Sequence, residues 1–248
     1  MALDLSVIIS VNNEEGNIRV LYPRLKVILE STRKEYEIIF VEDGSQDNSY
    51  TELCGLYQKD GCVNVIKLKK NFGQTVGLLV GMNYARSAIV LTMDGDLQHE
   101  PEDIVKLLEK IDLGFDLVNG RKISRTDSLA IKGFLFLTAK KLICLFFGAG
   151  DYDINSNFRA YQRKIVNDIK DQGEAFRFLP LMAKRRGIKF CEVDIRCEKR
   201  RFGKTHYNFA GRLKRLSKDF WLLLTIKNKK NKRRKLDPDH FVSEVMVH

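Results

Sequence analysis

Ala88-Ile89-Val90-Leu91-Thr92-Met93-Asp94-Gly95-Asp96 decides how this chain is read. A short, continuous apolar run rich in β-branched residues has the pattern of a strand buried on both faces, the kind found in parallel sheets. Both carboxylates then sit where that strand ends. Two hard oxygen ligands one residue apart, on a turn leaving a sheet, suit Mg²⁺ or Mn²⁺ held against a diphosphate. Open α/β sheets bind their ligands at that same carboxyl edge. An isolated Asp-x-Asp reads equally as a solvated acidic turn, so the flanking chain has to discriminate.

Working outward, the first half alternates strands with helices. Strands are expected at Leu5–Ser10, Tyr36–Val41, Val63–Leu68, Ala88–Met93 and Phe115–Gly120, with helices near 15–31, 47–60, 73–86 and 101–112. Pro101 suits a first helical turn, where a missing N–H costs nothing. Asp47 or Asn48 is a candidate cap for the second helix. Pro23 falls inside the first helix and is expected to kink or restart it. Alternation of this kind means α/β architecture, a mainly parallel sheet with helices on both faces. Beyond residue 122 the pattern changes. Helices are expected over 127–147, 162–186 and 207–227 and a strand over Lys189–Ile195, and Lys227–Lys235 is almost wholly basic.

The chain has 248 residues, of which 44% are hydrophobic and 30% charged, enough to bury one good core. A net charge of +11 points to an anionic partner: nucleic acid, a membrane surface or a phosphorylated substrate. The basic residues concentrate towards the end of the chain without interleaved aromatic rings, which argues against a nucleic-acid stacking surface. Five cysteines, Cys54, Cys62, Cys144, Cys191 and Cys197, form neither a CxxC nor a zinc-site spacing, so reduced thiols in a cytosolic protein are expected. The N-terminus enters a strand with no basic leader, and no apolar run approaches the ~18–20 residues of a membrane span.

Four polar segments fall at the ends of the expected strands. They are Val11-Asn12-Asn13-Glu14-Glu15-Gly16-Asn17, Val41-Glu42-Asp43-Gly44-Ser45, Asn71-Phe72-Gly73-Gln74 and Asp94-Gly95-Asp96-Leu97-Gln98-His99. Each has an ordinary reading beside the functional one: a helix cap, a turn, or, for Glu42-Asp43, the acidic pocket of a phosphorelay receiver. A receiver would leave Asp94-Gly95-Asp96 and half the chain without a purpose.

Together with Phe158-Arg159-Ala160-Tyr161, Arg163 and Arg200-Arg201-Phe202-Gly203-Lys204-Thr205-His206-Tyr207, these segments resemble the family 2 glycosyltransferases of the GT-A fold. The branch is that of dolichyl-phosphate mannose synthases and bacterial polyprenyl-phosphate sugar transferases. The stretch Met93–Glu102 carries most of the resemblance, which runs from residue 4 to 225 in the family's order. It implies a GT-A domain over 1–226, with a nucleotide-binding half (1–122) and an acceptor half (123–226), then C-terminal amphipathic helices and a basic, flexible tail over 227–248.

The resemblance also implies roles. Asp43 would bind the nucleobase, helped by Val11, Asn13 and Glu14, while Gly73 and Gly95 let backbone approach the donor. Asp94 would contact ribose or metal, and Asp96 would ligate the Mg²⁺ or Mn²⁺ bridging the diphosphate. Gln98 lies where relatives reach donor sugar or acceptor, Arg159 would order the acceptor side, and Arg200 would grip a phosphate. Many relatives carry Asp immediately before Phe-Arg, where this chain has Asn157; Asp153 is the nearest substitute base. His206 stands where the family has Lys, and Thr205 where it has Ser.

The implied reaction is inverting transfer from a UDP- or GDP-sugar to a polyprenyl (undecaprenyl or dolichyl) phosphate. The alternative acceptor is a sugar hydroxyl on a glycan in polysaccharide biosynthesis, and the distant rival is a nucleic-acid-binding protein. Basic and amphipathic C-terminal segments would hold the enzyme peripherally on the cytoplasmic membrane face, each Lys or Arg near an anionic surface adding on the order of 1 kcal/mol. An oligomer stays open.

Overall fold

The computed structural model describes residues 3–123, 152–154, 156–169, 173–183, 186–197 and 237–248. Its centre is an eight-stranded mixed sheet in the order β7-β5-β6-β4-β1-β2-β3-β8. The strands are β1 (Leu5–Val11), β2 (Tyr36–Glu42), β3 (Val63–Leu68), β4 (Ile89–Asp94), β5 (Leu117–Ile123), β6 (Arg159–Gln162), β7 (Phe190–Arg196) and β8 (Val242–Met246). β1 pairs in parallel with β2 and β4, β2 with β3, and β5 with β7. β6 runs antiparallel between β4 and β5, and β8 antiparallel along β3.

The helices α1 (Glu15–Ser31), α2 (Ser49–Lys59), α3 (Gln74–Tyr84) and α4 (Ile104–Asp112) connect the parallel strands. The two faces of β1 show why the sheet is sandwiched. Leu5, Val7, Ile9 and Val11 join one buried cluster with Ile18, Leu21, Leu25 and Leu29 of α1 and Ile104, Leu107 and Leu108 of α4. Ile8 faces the opposite cluster, with Leu78, Leu79 and Met82 of α3 and Val166 and Phe176. Side chains alternate across a strand, so a strand covered on both faces is mostly apolar, and β1 is buried throughout, with the Ser6 hydroxyl paired to Glu37 and Ser87. α3 lies unusually close to the sheet. A Cβ on Gly81 would collide with Ile8 and come within 3.1 Å of Val41, and one on Gly77 would meet Ser10 Oγ at 2.9 Å.

Several expectations change. α1 runs unbroken through Pro23, because the buried stripe Ile18, Leu21, Leu25 and Leu29 holds the helix against the sheet on both sides of it. The helix expected over 162–186 is divided into Arg163–Ile169, a 3-10 segment Gly173–Phe178 and Leu179–Ala183. Phe158–Tyr161, read only as a motif, contributes the antiparallel strand β6. Residues 237–248, read as the end of a flexible tail, instead form a short helix, Pro238–Phe241, and the edge strand β8. Charge dominates the composition just upstream, and Val242-Ser243-Glu244-Val245-Met246 has no apolar alternation to mark a strand; its pairing with β3 does. The helices expected over 127–147 and 207–227 and the basic run 227–235 lie outside the described residues.

Candidate active site

Strand register brings the sequence segments together. Ser10 of β1 pairs with Asp94 of β4, and Val11 with Glu42 of β2, so three strands end side by side. Val11 is buried, and its carbonyl accepts from Asp43 N (2.8 Å). Asn12 Nδ2 donates to the Asp43 carbonyl (2.6 Å). Asn13, in the left-handed region at φ 58°, donates through its backbone N–H to Ser45 Oγ (3.0 Å) and accepts from Gln46 N (2.7 Å). Glu14 N donates to Ser49 Oγ (2.9 Å), and the Glu14 carboxylate accepts from Asn17 Nδ2. These contacts bind the loop after β1 to the loop after β2.

Asp43 is 1% exposed. Its two carboxylate oxygens accept from the backbone N–H groups of Phe72 (2.7 Å) and Gly73 (2.8 Å). Burial raises its pKa above the ordinary carboxylate value; the two N–H groups pull it back and Glu42 adds to the rise. The residue assigned to a nucleobase is thus also a clasp on the β3–α3 loop. Each oxygen keeps a second lone pair for a ligand N–H. The loops could not approach so closely without Gly44, which has φ 66° and whose Cβ would sit 2.6 Å from the Lys70 carbonyl carbon.

Gly73 and Gln74 open α3 at the same edge, and Gln74 Nε2 donates to Asp94 Oδ1. Asn157 Nδ2 also approaches that oxygen (3.4 Å), while Thr92 Oγ1 donates to the Asn157 carbonyl (2.6 Å). Gly95 is packed beneath the turn, its absent Cβ 3.3 Å from the Ser10 carbonyl. Asp96 is 5% exposed and accepts on Oδ1 from the backbone N–H of half-buried Gln98 (3.1 Å). Leu97 between them has φ 59°, a conformation a branched apolar residue adopts only when held there. Burial of its side chain in the α1–α4 core holds it, and Arg24 of α1 fastens the turn's exit through Glu100 and Glu102 (2.9 Å).

His99 is buried, stacked on Phe158 at 5.2 Å, and has no hydrogen-bond partner on either ring nitrogen among the described residues. Burial, aided by Lys122 and opposed by Asp96, Asp153 and Asp103, pushes its imidazole down to about 3. The ring is therefore neutral, and its 3.9 Å approach to Asp94 is not an ion pair.

Of the two described residues expected on the acceptor side, Asp153 is half-buried and Arg159 fully buried. Asp153 Oδ2 accepts from Lys122 N (3.2 Å), and its backbone N–H donates to Glu192 Oε1 (2.9 Å). Arg159 is fully buried: Nε donates to Asn119 Oδ1 (2.8 Å), and the remaining nitrogens to the carbonyls of Ile154, Phe176 and Arg177. A guanidinium so engaged fixes loops from inside the fold. Asn119 closes the network by donating to Glu192 Oε1 (2.7 Å) and to the Asp153 carbonyl (2.9 Å). Arg200 lies outside the described residues. Sequence reasoning did not single out Asn119 or Glu192, an ordinary Asn and Glu on strands that no local motif marks. Gln74 stood inside a quoted motif, which was the available signal.

The architecture is that of the GT-A glycosyltransferases. The chain belongs to glycosyl transferase family 2, whose model matches residues 6–170. It is 33% identical over 210 residues to an undecaprenyl-phosphate 4-deoxy-4-formamido-L-arabinose transferase of Photorhabdus laumondii, covering 83% of this chain and 63% of that protein. A protein of the same name from Pseudomonas paraeruginosa is 32% identical, covering 89% and 65%. The chain therefore spans a little under two thirds of these relatives' length. Glucosyl-3-phosphoglycerate synthase of Mycobacterium tuberculosis, solved with Mn²⁺, UDP-glucose and phosphoglyceric acid, shares the fold with a TM-score of 0.66 at 16% identity, over 91% of this chain and 79% of that one.

Proposed function

We propose that this chain is an inverting, cation-dependent glycosyltransferase that moves one sugar from a UDP- or GDP-sugar to a polyprenyl phosphate, working peripherally at the cytoplasmic face of a membrane. The observation that carries the reading is the alignment of Asp43, Gly73, Asp94 and Asp96 at one carboxyl edge of a family 2 sheet. The opening turn of α3 at that edge suits a diphosphate, since its N–H groups and partial positive charge favour anions.

Asp94 and Asp96 fit a divalent cation. Both are hard oxygen donors, one residue apart where β4 ends. Mg²⁺ and Mn²⁺ suit such a site because they take one or two carboxylates and complete their shell with substrate phosphates and water. When bound, the cation neutralises charge growing on the departing diphosphate. The Mn²⁺ and UDP-glucose named with the mycobacterial synthase support this donor half.

Asn157 supports a phosphate acceptor. Its amide, not a carboxylate, faces Asp94. A hydroxyl nucleophile needs a positioned base, whereas a phosphate monoester, with its second pKa about 6, is already anionic at neutral pH. The undecaprenyl-phosphate in the relatives' names points the same way. The second reading, transfer to a sugar hydroxyl, rests on Asp153, which lies close enough to act electrostatically on the same His99 as Asp96. We assign membrane contact to the basic and amphipathic C-terminal sequence; among the described residues no helix is long and apolar enough to cross a membrane.

A panel of UDP- and GDP-sugars with Mn²⁺, read by thermal shift and then by turnover with a short polyprenyl phosphate, tests the proposal. One donor stabilises the protein and Asp96→Ala abolishes turnover. If no donor stabilises it, or if Asp96→Ala turns over normally, the reading is wrong. Flotation with anionic liposomes at physiological salt tests the membrane half, and absence of binding removes it.

A further inference from the structure

We propose that residues 237–248 are a clasp on the donor loop Lys69–Gln74, with Phe241 its positioning residue, so that nucleotide affinity depends on a segment at the far edge of the sheet. The inference rests on reading Asp43 as the nucleobase contact.

The donor loop is gripped from two sides. On the inner side, Asp43 holds the N–H groups of Phe72 and Gly73, and Asp94 accepts from Gln74. On the outer side the contacts among the described residues come from residues 237–248. Lys69 N donates to the Phe241 carbonyl (2.9 Å), extending the β3–β8 ladder one step into the loop. Lys69 Nζ donates to the carbonyls of Asp239 (3.0 Å) and His240 (3.1 Å), the last turn of the short helix. The Phe241 ring meets Phe72 edge-on at 5.0 Å. Phe72 therefore offers its ring to the clasp and its N–H to Asp43.

The clasp is itself anchored away from the site. His248 stacks on Tyr57 at 4.1 Å, its N–H donates to Asn64 Oδ1 (3.0 Å), and its carbonyl accepts from Arg86 (3.1 Å). Tyr50 Oη donates to Glu244 (2.6 Å). With the strand fastened at that end, the position of Phe241, and through it that of Phe72, is determined. Without the Phe241 ring, Lys69 keeps its bonds to the backbone carbonyls of residues 239–241 but Phe72 loses its outer partner, and the Phe72 and Gly73 N–H groups sample orientations that leave Asp43 misplaced for a base.

Phe241→Ala, Phe241→Tyr and Lys69→Met in the full chain test this by two readouts. The first is titration with UDP and with GDP in the presence of Mn²⁺. The second, which needs no ligand, is amide exchange at Phe72 and Gly73. Phe241→Ala weakens the nucleotide that wild type binds roughly three- to tenfold, the factor one edge-to-face aromatic pair accounts for. It speeds exchange at Phe72 and Gly73 while Val7–Ile9 stay protected, and Phe241→Tyr restores both. Unchanged affinity together with unchanged exchange overturns the inference. If Phe241→Ala also exposes Val7–Ile9, the fold has been lost and Lys69→Met decides by the same readouts. Wild type binding neither UDP nor GDP refutes the donor reading, and the exchange result still decides the clasp.

Discussion

Replacing Asp43 by Asn keeps the side chain's shape and changes only its charge and one acceptor. In the native site Oδ1 takes the Phe72 N–H and Oδ2 the Gly73 N–H. An amide has one oxygen, so its NH₂ must face one of the two backbone donors, and that N–H is left buried without an acceptor. Such a loss costs about 1–3 kcal/mol, and the surviving bond gives up its charge assistance, worth up to about 1.5 kcal/mol more. Against this, the neutral amide escapes the desolvation that raises the Asp43 pKa, which returns part of the sum. We expect Asp43→Asn to be about 2 kcal/mol less stable, roughly a thirtyfold change in the unfolding constant. Urea denaturation gives that difference, and amide exchange localises it: Phe72 and Gly73 exchange faster while β1 does not. Binding of UDP or GDP is lost in parallel. A variant equal to wild type in stability, with Phe72 and Gly73 still protected, would refute the clasp role of this carboxylate.

Asn157→Asp sets a second carboxylate where an amide now approaches Asp94 at 3.4 Å; like-charge repulsion should cut turnover with a polyprenyl phosphate about tenfold, and a gain would mean that a general base was what the site lacked. Gly81→Ala drives a Cβ into Ile8 and against Val41 and should cost about 1–3 kcal/mol in urea denaturation, whereas Gly55→Ala in α2, where a Cβ meets nothing within 4 Å, should be neutral or stabilising by up to about 1 kcal/mol. At Asp60 burial raises the pKa, but the Lys26 (2.5 Å) and Tyr22 (2.5 Å) hydrogen bonds outweigh it and bring the carboxyl to about 2. That folded value lies below the ordinary 3.8, so its stabilisation is complete above pH 4 and disappears as pH falls through 2. Asp60→Asn should therefore be about 1–2 kcal/mol less stable than wild type at pH 7, discounting for the exposed Lys26, and converge with it near pH 2 in an acid titration of stability.

Local pattern determined a good deal about this protein. Largely apolar runs marked β1 to β4 within a residue or two, because strands buried on both faces are predominantly apolar. The same runs placed Asp43 and Asp94 at strand ends, since a parallel strand's carboxyl end is where its apolar run stops. What the tertiary structure alone decided depends on contacts between residues far apart in the chain. The antiparallel insertion of β6 between β4 and β5 rests on backbone pairing that no periodicity announces. Arg159 became an internal strut because Asn119 and three carbonyls surround it, and Asp43 became a clasp because Gly44 lets the next loop within reach. The end of the chain shows the difference most clearly: Val242–Met246 is short and half exposed, unremarkable as a sequence, and becomes a strand only where β3 offers it an unpaired edge.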